Sequence, residues 1–140
     1  MKLPAFQFYP GDWMKDTSLR CVSPTARGVW MDMLCLMFEL PNRGFLEFQS
    51  GHPIGPEELS RVVGLSPQDV KRVLEELEHV GVFSRTESGV IYSRRMVRDE
   101  AFRQRRAANG KLGGNPAMKA RSKANLGDNL PANQAGTQVS

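Results

Sequence analysis

The clearest pattern in the chain is a set of apolar residues that recur at helical spacing between Ser23 and Leu40. Its members are Ala26, Val29, Trp30, Met33, Leu34, Met37 and Leu40. Ser23 is a favourable N-cap, Pro24 suits the first helical position, and Pro41 ends the run. Because its polar stripe is narrow, the pattern predicts a central helix wrapped by the rest of the domain, with Trp30 in the core. Its methionines either fill that core or line a binding groove.

Two shorter amphipathic runs follow, and a glycine separates them. The first begins at Pro56 and stops at Gly64, and the second spans 66–80. The apolar face of the second run consists of Val70, Val73, Leu74, Leu77 and Val80. Ser66 and Asp69 resemble a capping box at its start. Two short helices joined by a Gly-containing turn are typical of a helix-turn-helix.

The β signals are few and short. The stretch "VFSRTESGVIYSRR" at 82–95 has two strand-like runs around a polar turn and predicts a hairpin, and "GFLEF" at 44–48 is a candidate strand. Helix, short strand, helix, turn, helix and hairpin is the order of a winged helix-turn-helix. We therefore predict a mainly α fold with a small β-hairpin, in which every local pattern agrees with one fold class.

The N-terminal stretch "PAFQFYPGDW" at 4–13 is rich in aromatic residues between prolines and a glycine. This composition predicts an irregular, extended segment. Its aromatic rings either pack on the domain, with Trp13 near Trp30, or form a stacking platform for single-stranded bases.

The C-terminal part of the chain differs in composition from the rest. Good helix formers predict a helix over 96–108, and after Asn109 the apolar periodicity is lost, which predicts disorder. The expected organisation is a winged-helix domain with its aromatic segment at 1–100, and a basic arm at 101–140 that is largely disordered after about 109.

Charge changes the picture, because it is unevenly distributed. The net charge is +4, but residues 1–93 hold nine Lys/Arg and twelve acids, a net of −3, whereas residues 94–140 hold ten Lys/Arg and three acids, a net of +7. This asymmetry favours an acidic partner that is bound through the C-terminal arm.

The main candidates for DNA binding are the arginines and lysines that follow the predicted recognition helix. They are Arg85 and the ends of the wing at Arg94 and Arg95, then Arg98, Arg103, Arg105, Arg106 and Lys111, with Lys119, Arg121 and Lys123 beyond. A guanidinium binds phosphate bidentately and stays protonated. The alternatives are a solvating tail or an anchor for an acidic protein.

The predicted recognition helix is itself acidic, because residues 66–80 contain two Lys/Arg and four Asp/Glu, a net charge of −2. Gln68 and Lys71, near its start, are the candidates for reading bases. The alternative is a solvated face on which Lys71 pairs with Glu75, and Arg72 with Glu76. Phosphate contacts by the arm then supply most of the affinity, with weak sequence preference.

Few residues point to enzymatic or metal chemistry. Cys21 and Cys35 are expected to be free thiols, with Cys35 on a buried helix face. The histidines of the sequence are His52 and His79, and zinc would need more ligands at metal spacing. The glycines near Lys111 lack the order of a phosphate-binding loop. With no such motif in the sequence, we expect no cofactor. No apolar run is long enough to span a bilayer and no signal peptide is recognisable, so we expect a cytoplasmic protein.

The stretch "PAFQFYPGDWMKDTSLRCVSPTARGVWMDML" resembles the opening of a family of phage and prophage proteins. The residues that carry the resemblance are Phe8, Tyr9, Gly11, Asp12, Trp13, Arg27 and Gly28. The family is similar to the winged-helix part of replisome organisers and primosomal proteins. The resemblance covers about residues 4–100 and implies DNA replication in a bacterial host cell. It also implies DNA, duplex or single-stranded, and a replicative helicase or another replisome protein as partners.

Two further functions suit the same fold. A transcription regulator would need a dimer and a palindromic site, and the sequence has no dimerisation heptad. A protein-interaction winged helix would use the acidic helix to dock its partner.

Overall fold

The computed structural model describes residues 5–49 and 51–112, the last two by their backbone alone. This part of the chain is mostly helical, with one small two-stranded antiparallel sheet. Its elements are α1 (Pro10–Lys15), α2 (Thr17–Cys21), α3 (Pro24–Glu39), α4 (Pro56–Val63), α5 (Pro67–His79), β1 (Ser84–Arg85), β2 (Ile91–Tyr92) and α6 (Arg94–Leu112). A first compact unit ends at Val97, so α6 begins in this unit and continues in a second one.

Helix α3 begins where the sequence predicts. The hydroxyl of Ser23 accepts a hydrogen bond from the backbone N–H of Ala26 at 3.1 Å, and Pro24 occupies the first turn. The buried residues of α3 are Ala26, Val29, Trp30, Met33 and Met37. Met33 and Met37 are fully buried, so these two methionines fill the core.

The opposite face of α3 is exposed, and the prediction that Cys35 lies on a buried face is wrong. Cys35 is exposed, as are Asp32 and Glu39, which stand three and four residues away on the same helix surface. The five buried side chains cover only one face of the helix. The apolar pattern therefore predicts too much burial for α3, because apolar residues also occur on the side of the helix that faces solvent.

Helices α4 and α5 are joined by a tight turn of three residues, Gly64–Ser66. Gly64 ends α4 with a positive φ of 82°, and its N–H donates to the carbonyl of Ser60. The hydroxyl of Ser66 accepts from the N–H of Asp69 at 3.1 Å, which is one of the two hydrogen bonds of the predicted capping box, whereas the carboxylate of Asp69 bonds to Arg72. The apolar face of α5 packs against α3 and α4.

The hairpin follows α5, but its strands are only two residues each. Ser84 pairs with Tyr92 and Arg85 with Ile91 in antiparallel register. The predicted strand at 44–48 is present only as single bridges, Phe45 to Tyr92 and Glu47 to Pro53. A hydrogen bond of 2.8 Å from the N–H of Leu46 to the carbonyl of Ile91 keeps this segment beside the hairpin.

Arg94 and Arg95 do not end the second strand, as predicted from the sequence, but form the first turn of α6. The reason is local, because the hydroxyl of buried Ser93 accepts from the N–H of Met96 at 3.2 Å and begins the helix there. Helix α6 extends beyond the predicted range of 96–108 to Leu112. The predicted boundary at residue 100 and the predicted disorder after about 109 stay predictions, and residues 113–140 lie outside the described residues.

The N-terminal segment is irregular over 5–9, as predicted, but helical from Pro10. Pro10 stands in the first turn of α1, and the side chain of Asp16 caps α2 by accepting from the N–H of Leu19 at 3.1 Å. Phe6 and Trp13 are partly buried and pack against the core, whereas Phe8 is exposed. Most of the aromatic segment therefore packs on the domain.

Trp30 is a core residue, as predicted. Its side chain is 5% exposed, and its ring stacks on Phe83 with the centroids 6.1 Å apart. The described helices include none with the length and apolar character to cross a bilayer.

We expect Trp30→Ala to lower the free energy of unfolding by about 3–5 kcal/mol, because the substitution leaves a cavity between α3 and Phe83. Urea denaturation followed by far-UV circular dichroism measures this loss. Val62→Ala is the control, since Val62 is exposed and its truncation should cost less than about 0.5 kcal/mol. A Trp30→Ala midpoint equal to that of the parent would remove Trp30 from the core.

Candidate nucleic-acid interface

One stripe of α5 remains exposed after its apolar face is buried. Val70, Val73, Leu74 and Leu77 lie on the core side of the helix. Besides Pro67 in the first turn, the exposed residues are Gln68, Lys71, Arg72, Glu75, Glu78 and His79. They follow at intervals of three and four residues, so they share one face. The two predicted base readers, Gln68 and Lys71, therefore lie together on the solvent side near the start of α5.

The charges on α5 pair differently from the sequence prediction. Arg72 bonds to the carboxylate of Asp69 at 3.1 Å, one turn before it. The predicted partner Glu76 instead lies towards α3, where its carboxylate accepts from the backbone N–H of Ser23 at 2.6 Å and from the hydroxyl of Ser23 at 3.1 Å. The prediction of an Arg72–Glu76 pair is therefore wrong. Among the contacts of the described residues, none joins Lys71 to Glu75.

The other end of α5 is connected to the hairpin. The Nε of Arg85 in β1 lies 2.9 Å from a carboxylate oxygen of Glu78, and its Nη1 donates to the carbonyl of Gly89 at 3.2 Å. Arg85 is on the predicted strand, but its guanidinium already has partners on the helix and on the hairpin turn. An exposed ion pair of this kind adds about 1 kcal/mol or less.

Arg94 and Arg95 also make contacts within the first unit. Arg94 donates to the hydroxyl of Ser84 at 2.8 Å and to the carbonyl of Gly81 at 2.7 Å. Arg95 bonds to Asp12 at 3.0 Å and lies over the ring of Tyr9, 5.0 Å from its centroid. Both side chains thus attach the start of α6 to other parts of the unit. Each guanidinium has five N–H donors, so phosphate binding by these residues would have to share them.

The arginines of the second unit are more open. Arg103 binds Glu100 through two hydrogen bonds of 3.1 and 2.8 Å. These bonds, and the charge of the carboxylate, raise the pKa of the Arg103 guanidinium. Arg98, Arg105 and Arg106 are exposed. The side chain of Lys111, and Lys119, Arg121 and Lys123 entirely, lie outside the described residues.

Two polar residues of the N-terminal resemblance make structural contacts that the sequence did not predict. Arg27 donates to the carbonyls of Leu19 and Val22, at 3.2 and 2.8 Å, and so binds the end of α2. The carboxylate of Asp12 accepts a hydrogen bond from Arg95, which is 83 positions away in the sequence. Nothing lies within 4 Å of where a side chain on Gly28 would begin, so no packing contact explains that glycine.

The exposed ring of Phe102 is a further functional candidate that sequence reasoning overlooked. Its spacing from Arg98, Arg105 and Arg106 is the one sequence signal that could have found it.

We also searched the described part of the chain for clusters of possible metal ligands. Residues 5–49 and 51–112 contain no group of three or more His, Cys, Asp or Glu side chains that could hold a metal ion.

Comparison with known proteins gives no further guidance on this interface. Searches against protein-family models, curated proteins and solved structures found no match to the chain.

We expect Glu76→Ala to lower the free energy of unfolding by about 1.5–3 kcal/mol, the usual contribution of hydrogen bonds to a charged group. The substitution removes the contacts between α5 and the start of α3. Chemical denaturation is the measurement, and Glu75→Ala is the matched control, because Glu75 is the adjacent, exposed glutamate and should cost less than about 0.5 kcal/mol. Equal effects of the two variants would show that the Ser23 contacts contribute nothing.

Proposed function

We propose that this chain is a non-enzymatic DNA-binding protein of phage or prophage DNA replication, similar to replisome organisers. In this proposal the first unit is a winged helix-turn-helix, and phosphate contacts supply most of the affinity. The element order supports the winged helix: α3, then the segment at 44–48, the α4–α5 pair with its three-residue turn, and the hairpin.

The observation that carries the proposal is the exposed positive charge of α6 beyond Val97. Residues 98–110 contain four arginines and two acids. Arg103 is engaged by Glu100, whereas Arg98, Arg105 and Arg106 are exposed. A cluster of exposed guanidinium groups is the electrostatic footprint expected of a protein that binds a phosphate backbone.

Helix α5 is also less repulsive to phosphate than its net charge of −2 indicates. Asp69 is paired with Arg72, and Glu78 is paired with Arg85 from the hairpin. Glu76 points its carboxylate at Ser23. Lys71 and Glu75 remain as the charges of the exposed stripe without an ion pair among the described residues. This near balance allows α5 to approach DNA but adds little net attraction, which supports a larger contribution from α6.

Salt dependence of binding is the direct test of phosphate contacts. With about five such contacts, log K falls with log salt at a slope near −4.5, a loss of roughly 10²–10³ in affinity between about 50 and 200 mM salt. Steep salt dependence without sequence preference supports replication, and strong selection of one sequence supports a transcription regulator. Absence of DNA binding supports a protein-interaction domain.

We expect Arg105→Gln/Arg106→Gln to weaken duplex binding and to make the salt slope shallower by about 1.8, since each lost phosphate contact removes about 0.9. Fluorescence anisotropy with a random duplex at three salt concentrations measures both effects. Lys15→Gln/Arg20→Gln is the matched control, because it removes two exposed positive charges from α1 and α2. If both double variants change affinity and slope equally, net charge and not this part of α6 determines binding.

Gln68→Ala separates phosphate binding from base reading. Because we propose that phosphate contacts dominate, the variant should bind random duplex within about twofold of the parent and select the same sequences from a random library. A base-reading residue behaves differently, since its loss costs about 1–3 kcal/mol and relaxes preference at one position. That outcome would favour the transcription regulator.

A further inference from the structure

One face of α6 in the second unit combines an exposed aromatic ring with arginines. Arg98, Phe102, Arg105 and Arg106 stand at positions i, i+4, i+7 and i+8 and therefore share a side of the helix. Phe102 is 48% exposed. The guanidinium carbons of Arg105 and Arg106 lie 5.9 and 5.8 Å from the centroid of its ring.

This face has no apolar partner among the described residues of the second unit. None of the residues 98–110 is buried, and Phe102 is the one large apolar side chain among them. Burial of a helix face is the usual source of helix stability in proteins, and this stretch lacks it. An exposed phenylalanine between guanidinium groups thus contributes little to the stability of the isolated helix.

We propose that this face binds single-stranded DNA, with one base stacked on Phe102 and with Arg98, Arg105 and Arg106 contacting the flanking phosphates. The inference rests on the proposed function and specifies the form of DNA. Single-stranded nucleic acid is bound by this combination of aromatic platforms and a positive surface. The bases of a duplex are stacked on each other, so a ring would first have to unstack a base step, which costs a few kcal/mol, whereas an unpaired base can stack on it without this cost.

Charge and size favour this partner over a protein. Of the two acids in 98–110, Glu100 is bound by Arg103, and Asp99 lies beside the face, three positions before Phe102. The three arginines outnumber this one acid, so the face keeps a net positive charge. One phenylalanine offers too little apolar surface for a stable protein interface, which usually buries more than about 1,000 Å² in total. It is sufficient for one base, and the three exposed arginines match the phosphates on either side.

The test compares Phe102→Leu with Phe48→Leu in the full-length chain. Phe48 is a matched control, since it is a phenylalanine of the first unit with a similar exposure of 43%. The probes are a fluorescently labelled oligo(dT) and a labelled blunt-ended duplex of equal length without unpaired bases, and the measurement is anisotropy at one salt concentration. Phe102→Leu should weaken oligo(dT) binding about fivefold or more, within the range known for loss of a stacking ring, and duplex binding less than about twofold. Phe48→Leu should change neither.

Phe102→Trp distinguishes stacking from a structural effect. A larger ring at this position should bind oligo(dT) at least as tightly as the parent, and this result together with the loss in Phe102→Leu supports the inference. If Phe102→Leu and Phe102→Trp lose oligo(dT) binding equally, or if Phe102→Leu behaves like Phe48→Leu, the inference is wrong. A parent that binds the duplex but not oligo(dT) also overturns it and leaves the proposed function intact, whereas a parent that binds neither overturns both.

Discussion

The buried face of α3 is the constraint on which the first unit depends. Almost none of the surface of Trp30, Met33 and Met37 is exposed to solvent. The ring of Phe83, which lies just before the hairpin, stacks on Trp30. Helix α5 can cover this face only with its own apolar residues, so its remaining side must face solvent. The exposed stripe with Gln68 and Lys71 is thus a consequence of core packing. Any contact that this stripe makes with DNA uses a surface whose orientation the core has already determined.

Local patterns and long-range contacts differ in how far the sequence predicts them. Ser23, Ser66 and Gly64 act within a few residues of their own position, and their caps were predictable from spacing alone. Glu76 bonds to Ser23 across 53 positions, and Arg95 to Asp12 across 83. No sequence pattern relates such pairs, so the helix-spacing rule gave Arg72 as the partner of Glu76. The error over Cys35 has a related cause, because hydrophobicity along a helix does not say which face the neighbouring elements cover.

The arginines, which appear equivalent in the sequence, have two different roles in the structure. Arg27, Arg85, Arg94 and Arg95 donate to carbonyls, a hydroxyl or carboxylates within the first unit. Arg98, Arg105 and Arg106 are exposed in the second. Counting charge therefore locates the basic end of the chain but overestimates how many guanidinium groups are available to a ligand. Within the described residues, two separate candidate surfaces for DNA therefore replace the whole basic run: the stripe of α5 in the first unit and one face of α6 in the second.

The same exposure has an energetic consequence for binding through α6. Arg103 and Arg106 are one turn apart and repel each other, and Glu100 offsets the charge of Arg103. Under the proposed function, a phosphate backbone bound to the arginines of α6 would reduce the repulsion between their positive charges. It would also cover residues 98–110, none of which is buried in the isolated chain. Affinity and helix stability would then be linked, because a ligand that binds only the helical form stabilises it by mass action. Under the proposed function, high salt would weaken binding and also withdraw this stabilisation, so the helix would gain least from DNA where the phosphate contacts are most screened.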